Sequence, residues 1–373
     1  MAEPDLVDWD LAVATGRRLV RPGPQLSRAE ADDVVSELRR LAVEAEAHVV
    51  AYTHLTPQGP PPPVVVVDRK EWLRSNVVGL RSVTAPLLGK LTAQSSSGPL
   101  SRAVGRRLTA LQIGGALAFL AGKVLGQFEI FLPPEEVEGP GGRLSLVAPN
   151  VAEVERKIGA DPRDFRLWVC LHEQTHRVQF HAVPWLRGHL ESEVAAFVDA
   201  TDLDPAALAN RIRTAVAAVR RREGVSLVEA VQTPGQRAVL DRMQALMSLL
   251  EGHADQVMDA VGPQVVPSVA RIRAAFEARR DGGSPLDRFV RRLLGLDLKL
   301  QQYRQGGAFV RAIVDAVGVD GFNTVWTSPE TLPTRAEITD PDAWMRRVLG
   351  RAGGQQEGLP GPAGLGRPPG SAA

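Results

Sequence analysis

The stretch WVCLHEQTHRVQF, Trp168 to Phe180, constrains the fold more than any other part of this sequence. His172 and His176 are four residues apart, so their side chains share one face if the stretch is an α-helix. Glu173 then lies about 100° around the helix from His172, where it can reach a water molecule on a metal ion that both histidines bind. The spacing matches the H-E-x-x-H arrangement of zinc sites and predicts a helix at the floor of such a site.

A second interpretation of the same residues needs no metal. HExxH also occurs by chance, and the stretch could be a helix with a solvated polar face. Glu173 and Arg177 are four residues apart, so on such a helix they could form an ion pair worth a few tenths of a kcal/mol. The position of a third metal ligand is therefore needed to choose between the two interpretations.

A third histidine at the usual spacing is missing. The extended pattern HExxHxxGxxH needs glycine at position 179 and histidine at position 182, where this chain has Gln179 and Ala182. A glutamate from a second helix is the other common third ligand. Candidates lie in two stretches, and they are Glu191 and Glu193 in GHLESEVAAFVDATD and Glu251, with His253 or Asp255 as alternatives, in ALMSLLEGHADQVMDAVG.

We favour Glu251 as the third ligand because Asp255 follows it by four residues in an otherwise apolar helical pattern. In that arrangement Glu251 could bind the metal while Asp255 accepts the N–H of a ligating histidine. Burying two carboxylates among leucine and methionine side chains would be costly without a charge partner, and a dication would supply one. The same stretch could also be an amphipathic surface helix with an acidic edge.

Composition limits the setting and the partners of the chain. The 44 basic and 43 acidic residues leave a net charge of +1, which gives no reason to expect nucleic acid or a membrane surface as a partner. Cys170 is the single cysteine, so a zinc site here must use histidine and carboxylate. The N-terminus MAEPDLVDWD has no signal-peptide pattern, and the longest apolar run, IGGALAFLAG, is too short to span a bilayer. We therefore expect a cytoplasmic protein.

The pattern along the chain predicts a mainly α fold with a small β component. Ser27 and Glu30 form a capping box before a helical stripe, and VVVV (64–67) predicts a short strand. GQFEIFL and RLSLVAP alternate like two strands of a hairpin with a turn-rich connection. We expect a mostly helical N-terminal segment over residues 1–100, the core over 101–350, and a disordered Gly/Pro-rich tail over 351–373.

Several segments together resemble the actinobacterial-type zincin-like metallopeptidases, which are labelled as hydrolases associated with biosynthesis of a deazaflavin coenzyme. The segments are VDWDLAVATGRRLVRPGP, VLGQFEIF, LVAPN, DFRLWVCLHEQTHRVQF, MSLLEGHADQVMD and GFNTVWTSPETLPTRAEITDPDAW. The resemblance runs from about Val7 to Gly350. It implies a zincin-like core with His172 and His176 as zinc ligands and Glu173 as the catalytic residue.

These observations predict a zinc-dependent metalloprotease or other hydrolase that cleaves an amide or peptide bond through a zinc-bound water, with Glu173 as general base. Tyr303 or His253 could donate a hydrogen bond to the developing oxyanion. The RLSLVAP strand could bind an extended peptide along its edge. Two alternatives are a structural zinc in an inactive, partner-binding protein and a hydrolase of small-molecule amides.

Overall fold

The computed structural model describes residues 6–94, 98–137, 142–201, 232–281 and 296–350. Helices dominate these ranges, and three short strands form one sheet, so the predicted mainly α fold with a small sheet and a helical C-terminal region is confirmed. The predicted tail, 351–373, lies outside the described residues. Within the described ranges, none of the helices has both the length and the apolar composition needed to cross a lipid bilayer.

The first part of the described chain contains four helices and the first strand. Ser27 caps α2 as predicted, because its side chain accepts from the N–H of Glu30 and the Glu30 carboxylate accepts from the N–H of Ser27. VVVV forms the predicted strand. The elements are α1 (Trp9–Leu19), α2 (Arg28–Thr53), β1 (Val64–Val67), α3 (Arg69–Gln94) and α4 (Pro99–Ala121).

Small residues allow α4 to approach α1 closely. A Cβ atom added at Gly114 would lie 2.5 Å from the Ala12 carbonyl oxygen, and one added at Gly16 would lie 3.2 Å from the Gly114 carbonyl oxygen. Ala118 and Ala121 on α4 are buried. Gly114 and Ala118 of the apolar run IGGALAFLAG therefore lie in a closely packed, buried part of α4.

The sheet has the strand order β1-β3-β2. β2 (Gly126–Glu129) pairs antiparallel with β3 (Arg143–Val147), which confirms the predicted hairpin, and β1 runs parallel to β3 on its other side. Because β3 is hydrogen-bonded on both sides, the prediction that the RLSLVAP strand binds a substrate along its edge is wrong. Among the described strands, β2 and β1 are the ones with an open edge.

The remaining helices surround the motif helix. Helix α6 (Pro162–Ala182) carries the motif and packs against α2, against α8 (Pro234–Val265) and against the sheet. The main apolar core includes Leu38 and Leu41 from α2, Phe165 and Leu171 from α6, and Phe309 from α10. The elements are α5 (Ala148–Ile158), α6 (Pro162–Ala182), α7 (Trp185–Asp199), α8 (Pro234–Val265), α9 (Val269–Asp281), α10 (Leu296–Phe322), α11 (Arg335–Ile338) and α12 (Pro341–Leu349).

Candidate metal centre

Helix α6, which carries the two motif histidines, is largely buried in the protein. It begins at the N-cap Asp161, whose side chain accepts from the N–H of Asp164, and Pro162 occupies its first turn. Most of its side chains are buried, and Gln174 donates to the Ala42 carbonyl oxygen of α2. The helix is therefore fixed on several sides, which limits the freedom of any side chain that it presents to a site.

Arg177 does not form the ion pair with Glu173 that the metal-free interpretation predicted. Its guanidinium is 2.9 Å from Glu46 on α2 and also donates to the Pro62 carbonyl oxygen and to Gln174. Arg177 is buried, and the pattern predicted for a solvated face, an ion pair between Glu173 and Arg177, does not form. Glu173 therefore has no ion pair with Arg177, the cationic residue one turn further along its helix.

Helix α8 brings Glu251 to the motif. It begins at Thr233, which forms a capping box with Gln236, and it crosses α10 at very short distance. A Cβ atom at Gly252 would lie 2.2 Å from the Gly306 carbonyl carbon, and one at Gly306 would lie 1.9 Å from the Ser248 carbonyl oxygen. Only glycine fits at this crossing. The close contact with α10 therefore fixes the part of α8 that carries Glu251.

Three side chains converge between α6 and α8. His172 Nε2 is 3.6 Å from Glu251 Oε2, and His176 Nε2 is 3.8 Å from Glu251 Oε1. One potential ligand atom from each of the three residues lies within 4.8 Å of the others. Within the described ranges, no second group of three His, Cys, Asp or Glu side chains comes together in this way.

The three residues fit a zinc ion in chemistry and in spacing. Zinc binds imidazole nitrogen and carboxylate oxygen at about 2.1 Å, so its tetrahedral ligand atoms lie about 3.4 Å apart. The observed separations of 3.6 and 3.8 Å are slightly wider than that and too long for good hydrogen bonds. An ion between the three groups would satisfy them with a small inward movement of the side chains.

Gln179 holds His176 in the orientation that a metal ligand needs. Its Oε1 is 3.0 Å from His176 Nδ1, so an Nδ1–H donated there leaves the Nε2 lone pair directed at Glu251 and free to bind metal. The Gln179 Nε2 group donates to the Leu250 carbonyl oxygen and lies 3.0 Å from His253 Nδ1. Gln179 is fully buried and thus links the motif helix to α8.

Sequence reasoning treated Gln179 only as a departure from the third-histidine pattern. The available signal was its spacing, because a residue three positions after His176 lies on the same helix face. Its amide can accept from one histidine and donate to a second helix at the same time. The sequence did not show which groups of α8 it would meet.

Burial favours the neutral form of His172. Loss of water around His172 lowers its pKa to about 4, with the neighbouring His176 adding to the effect and the Glu251 carboxylate opposing it. His172 still exposes 27% of its side chain, on the side that lines the cleft. Neutral imidazole is the form that binds metal, so the environment of His172 suits a ligand.

Glu173 is buried beside the edge strand β2. A Cβ atom added at Gly126 would lie 2.6 Å from Glu173 Cγ, so the strand backbone touches the carboxylate arm directly. Burial, and secondly the charge of Glu251, raise the pKa of Glu173 to about 8. A dication at the three ligands would favour the charged carboxylate and oppose this rise.

His253 lies behind His176. It is 1% exposed, and its ring centroid is 5.2 Å from that of Phe322 and 5.5 Å from that of Trp326. Burial, followed by the effect of His176, lowers its pKa to about 3. His253 is not one of the described residues that line the cleft beside Glu173, so its position does not favour the predicted role as a hydrogen-bond donor to substrate.

The other predicted candidates lie as follows. Glu193 is buried in an ion pair with Arg242, and Glu191 pairs with Arg187 at 3.0 Å, so both are engaged away from the cluster. Asp255 is half-buried one turn after Glu251, and its contact with a ligating histidine stays a prediction. The side chain of Tyr303 lies outside the described residues.

Replacing Gln179 by leucine should weaken zinc binding by about 10- to 100-fold, the usual effect of removing a partner of a ligating histidine. Leucine keeps the volume of the side chain but cannot accept the His176 Nδ1–H. The measurement is a competition titration of the metal-free protein with a zinc-sensitive chelating dye. Gln179→Glu retains an acceptor and should bind zinc more tightly than the leucine variant, and equal affinities would contradict the role given to Gln179.

Comparison with known proteins places this chain in a family. A family model described as zincin-like metallopeptidase matches residues 7–345. Among solved structures, the chain is similar to a protein from Chloroflexus aurantiacus described as a "putative hydrolase with a novel fold". The two share 34% sequence identity over 93% of this chain and 100% of that chain, with a TM-score of 0.68. None of the curated proteins compared with the chain matches it. The chain belongs to the zincin-like metallopeptidase family.

Proposed function

We propose that the protein is a zinc-dependent hydrolase of amide bonds, with peptides as its substrates. The observation that carries the proposal is the convergence of His172, His176 and Glu251 within 4.8 Å, next to a buried Glu173. His172 and His176 would hold the metal through Nε2, and Glu251 through its carboxylate. Three protein ligands leave a position open, as in catalytic zinc sites.

In this proposal Glu173 moves the proton. A bound zinc ion supplies Lewis-acid chemistry, because it lowers the pKa of water toward about 7 and polarises a carbonyl group. The Glu173 carboxylate takes the proton from the attacking water and returns it to the leaving amine as the C–N bond breaks. Burial raises the pKa of Glu173 and a bound dication would oppose that rise, so the two effects together would suit proton transfer near neutral pH.

The edge strand β2 is the element that we propose to bind the substrate backbone. All four of its residues, 126–129, line the cleft that also contains Glu173. An extended peptide can pair with an open strand edge through main-chain hydrogen bonds. The contact between Gly126 and Glu173 would bring the bound amide next to the base.

The alternatives are weighed by the number of ligands and the shape of the site. A structural zinc usually has four protein ligands, whereas the cluster among the described residues offers three. The same chemistry would also hydrolyse small amides, but the open edge of β2 favours peptides over them. The link of similar sequences to deazaflavin coenzyme biosynthesis stays a prediction, because it comes from the label of those sequences and not from the site.

Zinc removal tests the proposal directly. We expect the purified protein to contain about one zinc per chain by inductively coupled plasma mass spectrometry and to cleave members of a mixed fluorogenic peptide library. Dialysis against 1,10-phenanthroline should abolish the cleavage, and zinc should restore it. Zinc-loaded protein without any cleavage would contradict hydrolysis, and cleavage that survives metal removal would contradict the zinc mechanism.

A further inference from the structure

A large cleft adjoins the candidate metal centre. Its volume is about 730 Å³, within the range of about 300–1,000 Å³ that is typical of ligand pockets. His172, Glu173, His176 and Glu251 line one part of it. The rest of the cleft extends beyond the groups that the proposed chemistry uses, so it has room for a substantial part of a substrate.

Apolar side chains form most of the wall of this cleft. They come from α3, β2 with the segment after it, α7 and α8, and many of them are only half-buried although they are apolar. Met247 is 38% exposed and lies four residues before Glu251, on the same face of α8. An apolar surface of this kind gains free energy when a ligand covers it. Representative wall residues are Leu87, Phe128, Phe131, Val194, Phe197 and Met247.

The charged residues of the cleft also favour an uncharged ligand. Its charged lining residues among those described are glutamates, and no lysine or arginine is among them. Glu129 is 4% exposed and accepts hydrogen bonds from Ser75, Arg143 and Ser145, so its charge is satisfied within the protein. Apart from the proposed zinc ion, the described lining of the cleft therefore offers no cation that could pair with a carboxylate of the substrate.

We propose that the site selects amide substrates with a bulky, uncharged apolar group next to the bond that is cleaved, and that the cleft between α3, α7 and α8 binds this group. The inference rests on the proposed function, since it assumes that the bond is placed at Glu173. It also implies that a free C-terminal carboxylate beside the bond is disfavoured. The substrate would then be cleaved within a chain, or at an amide without a nearby acid, rather than by removal of a C-terminal residue.

Two hydroxamic acids of equal length test the selectivity. Calorimetric titration of the zinc-loaded full chain should show octanohydroxamic acid binding at least tenfold more tightly than suberic acid monohydroxamate, which ends in a carboxylate. Acetohydroxamic acid, which has no apolar tail, should bind about a hundredfold more weakly than the octano compound or weaker still. Equal or tighter binding of the carboxylate-tailed compound would overturn the proposal.

A charge placed in the wall tests the location. Val194→Asp should lower the affinity for octanohydroxamic acid at least tenfold and leave zinc content and acetohydroxamic acid affinity within twofold. Ala195→Asp puts the same charge on the exposed side of α7 and is the matched control. Leu87→Asp probes the opposite wall on α3 if the first variant does not fold. Unchanged octanohydroxamic acid affinity in a folded wall variant would overturn the location.

A neutral probe separates this inference from the proposed function. N-phenyl-1-naphthylamine has no metal-binding group, and it should fluoresce strongly with the metal-free wild type and the Ala195→Asp variant but weakly with Val194→Asp. If hydroxamic acids fail to bind while the probe follows this pattern, the hydrolase proposal fails and the apolar binding site stands. If the probe shows no difference between the variants, the binding site fails, whatever the protein hydrolyses.

Discussion

Replacing Glu173 by glutamine should reduce peptide hydrolysis by about 10²- to 10⁴-fold, the range that a positioned general base contributes. Glutamine has nearly the same shape, so the contact with Gly126 is retained, but an amide cannot take a proton from water. Because Glu173 is not one of the three converging side chains, zinc content should stay unchanged. The measurement is kcat on the best peptide found for the wild type, together with zinc analysis of the same sample.

The control for this variant is Glu191→Gln, the same chemical change at an exposed position of α7. It should leave both activity and zinc content at the wild-type level. A Glu173→Gln protein that keeps full turnover with bound zinc would show that another group is the base. Loss of activity together with loss of zinc would instead indicate that Glu173 supports the metal site, and the base assignment would again be wrong.

Local spacing predicted the parts of the site that lie within one element. The i, i+4 relation of His172 and His176 and the capping box of Ser27 and Glu30 depend only on helix geometry, and both are present. The hairpin of β2 and β3 followed from alternation and a turn-rich connection. Such features are predictable because the interacting residues are close in sequence and have few alternative arrangements.

Contacts between distant elements were harder to predict. The error about β3 arose because β1, far earlier in the chain, pairs with it and closes the edge that seemed open from the hairpin alone. The pairing of Arg177 with Glu46 depends on the packing of α2 on α6, which the sequence pattern does not specify. In both cases the unpredicted partner comes from a distant part of the chain.

The approach of Glu251 to the histidines is a contact between distant elements that the sequence nevertheless predicted. Its candidacy came from a chemical argument, the cost of burying acids in an apolar helix, and not from periodicity. Close packing of α8 on α10 at Gly252 and Gly306 helps to place Glu251. The sequence shows these glycines, but it does not show that they contact each other. The energetic cost of burying an unpaired charge can therefore predict that two distant residues meet, which hydrophobic periodicity cannot do.

Replacing Glu251 by alanine should weaken zinc binding by more than the 10- to 100-fold expected for loss of an outer partner such as Gln179, because it removes a proposed ligand atom and the one negative charge of the proposed ligand set. Glu251→Gln keeps the size of the side chain and removes only the charge, so it should also lose most of the bound zinc. Zinc content after gel filtration and affinity by dye competition are the measurements. We expect hydrolysis to fall with the metal in both variants.

The thermal stability of these variants gives an independent readout. A metal that binds only the folded state at 100 times its Kd stabilises it by about 2.7 kcal/mol, so zinc should raise the Tm of the wild type by several degrees. Glu251→Ala should lose this zinc-dependent rise, whereas Glu191→Ala, which removes an exposed carboxylate paired with Arg187, should keep it. If Glu251→Ala still gains the full rise and retains zinc, the carboxylate on α8 is not a ligand, and the metal must take its third donor from another residue.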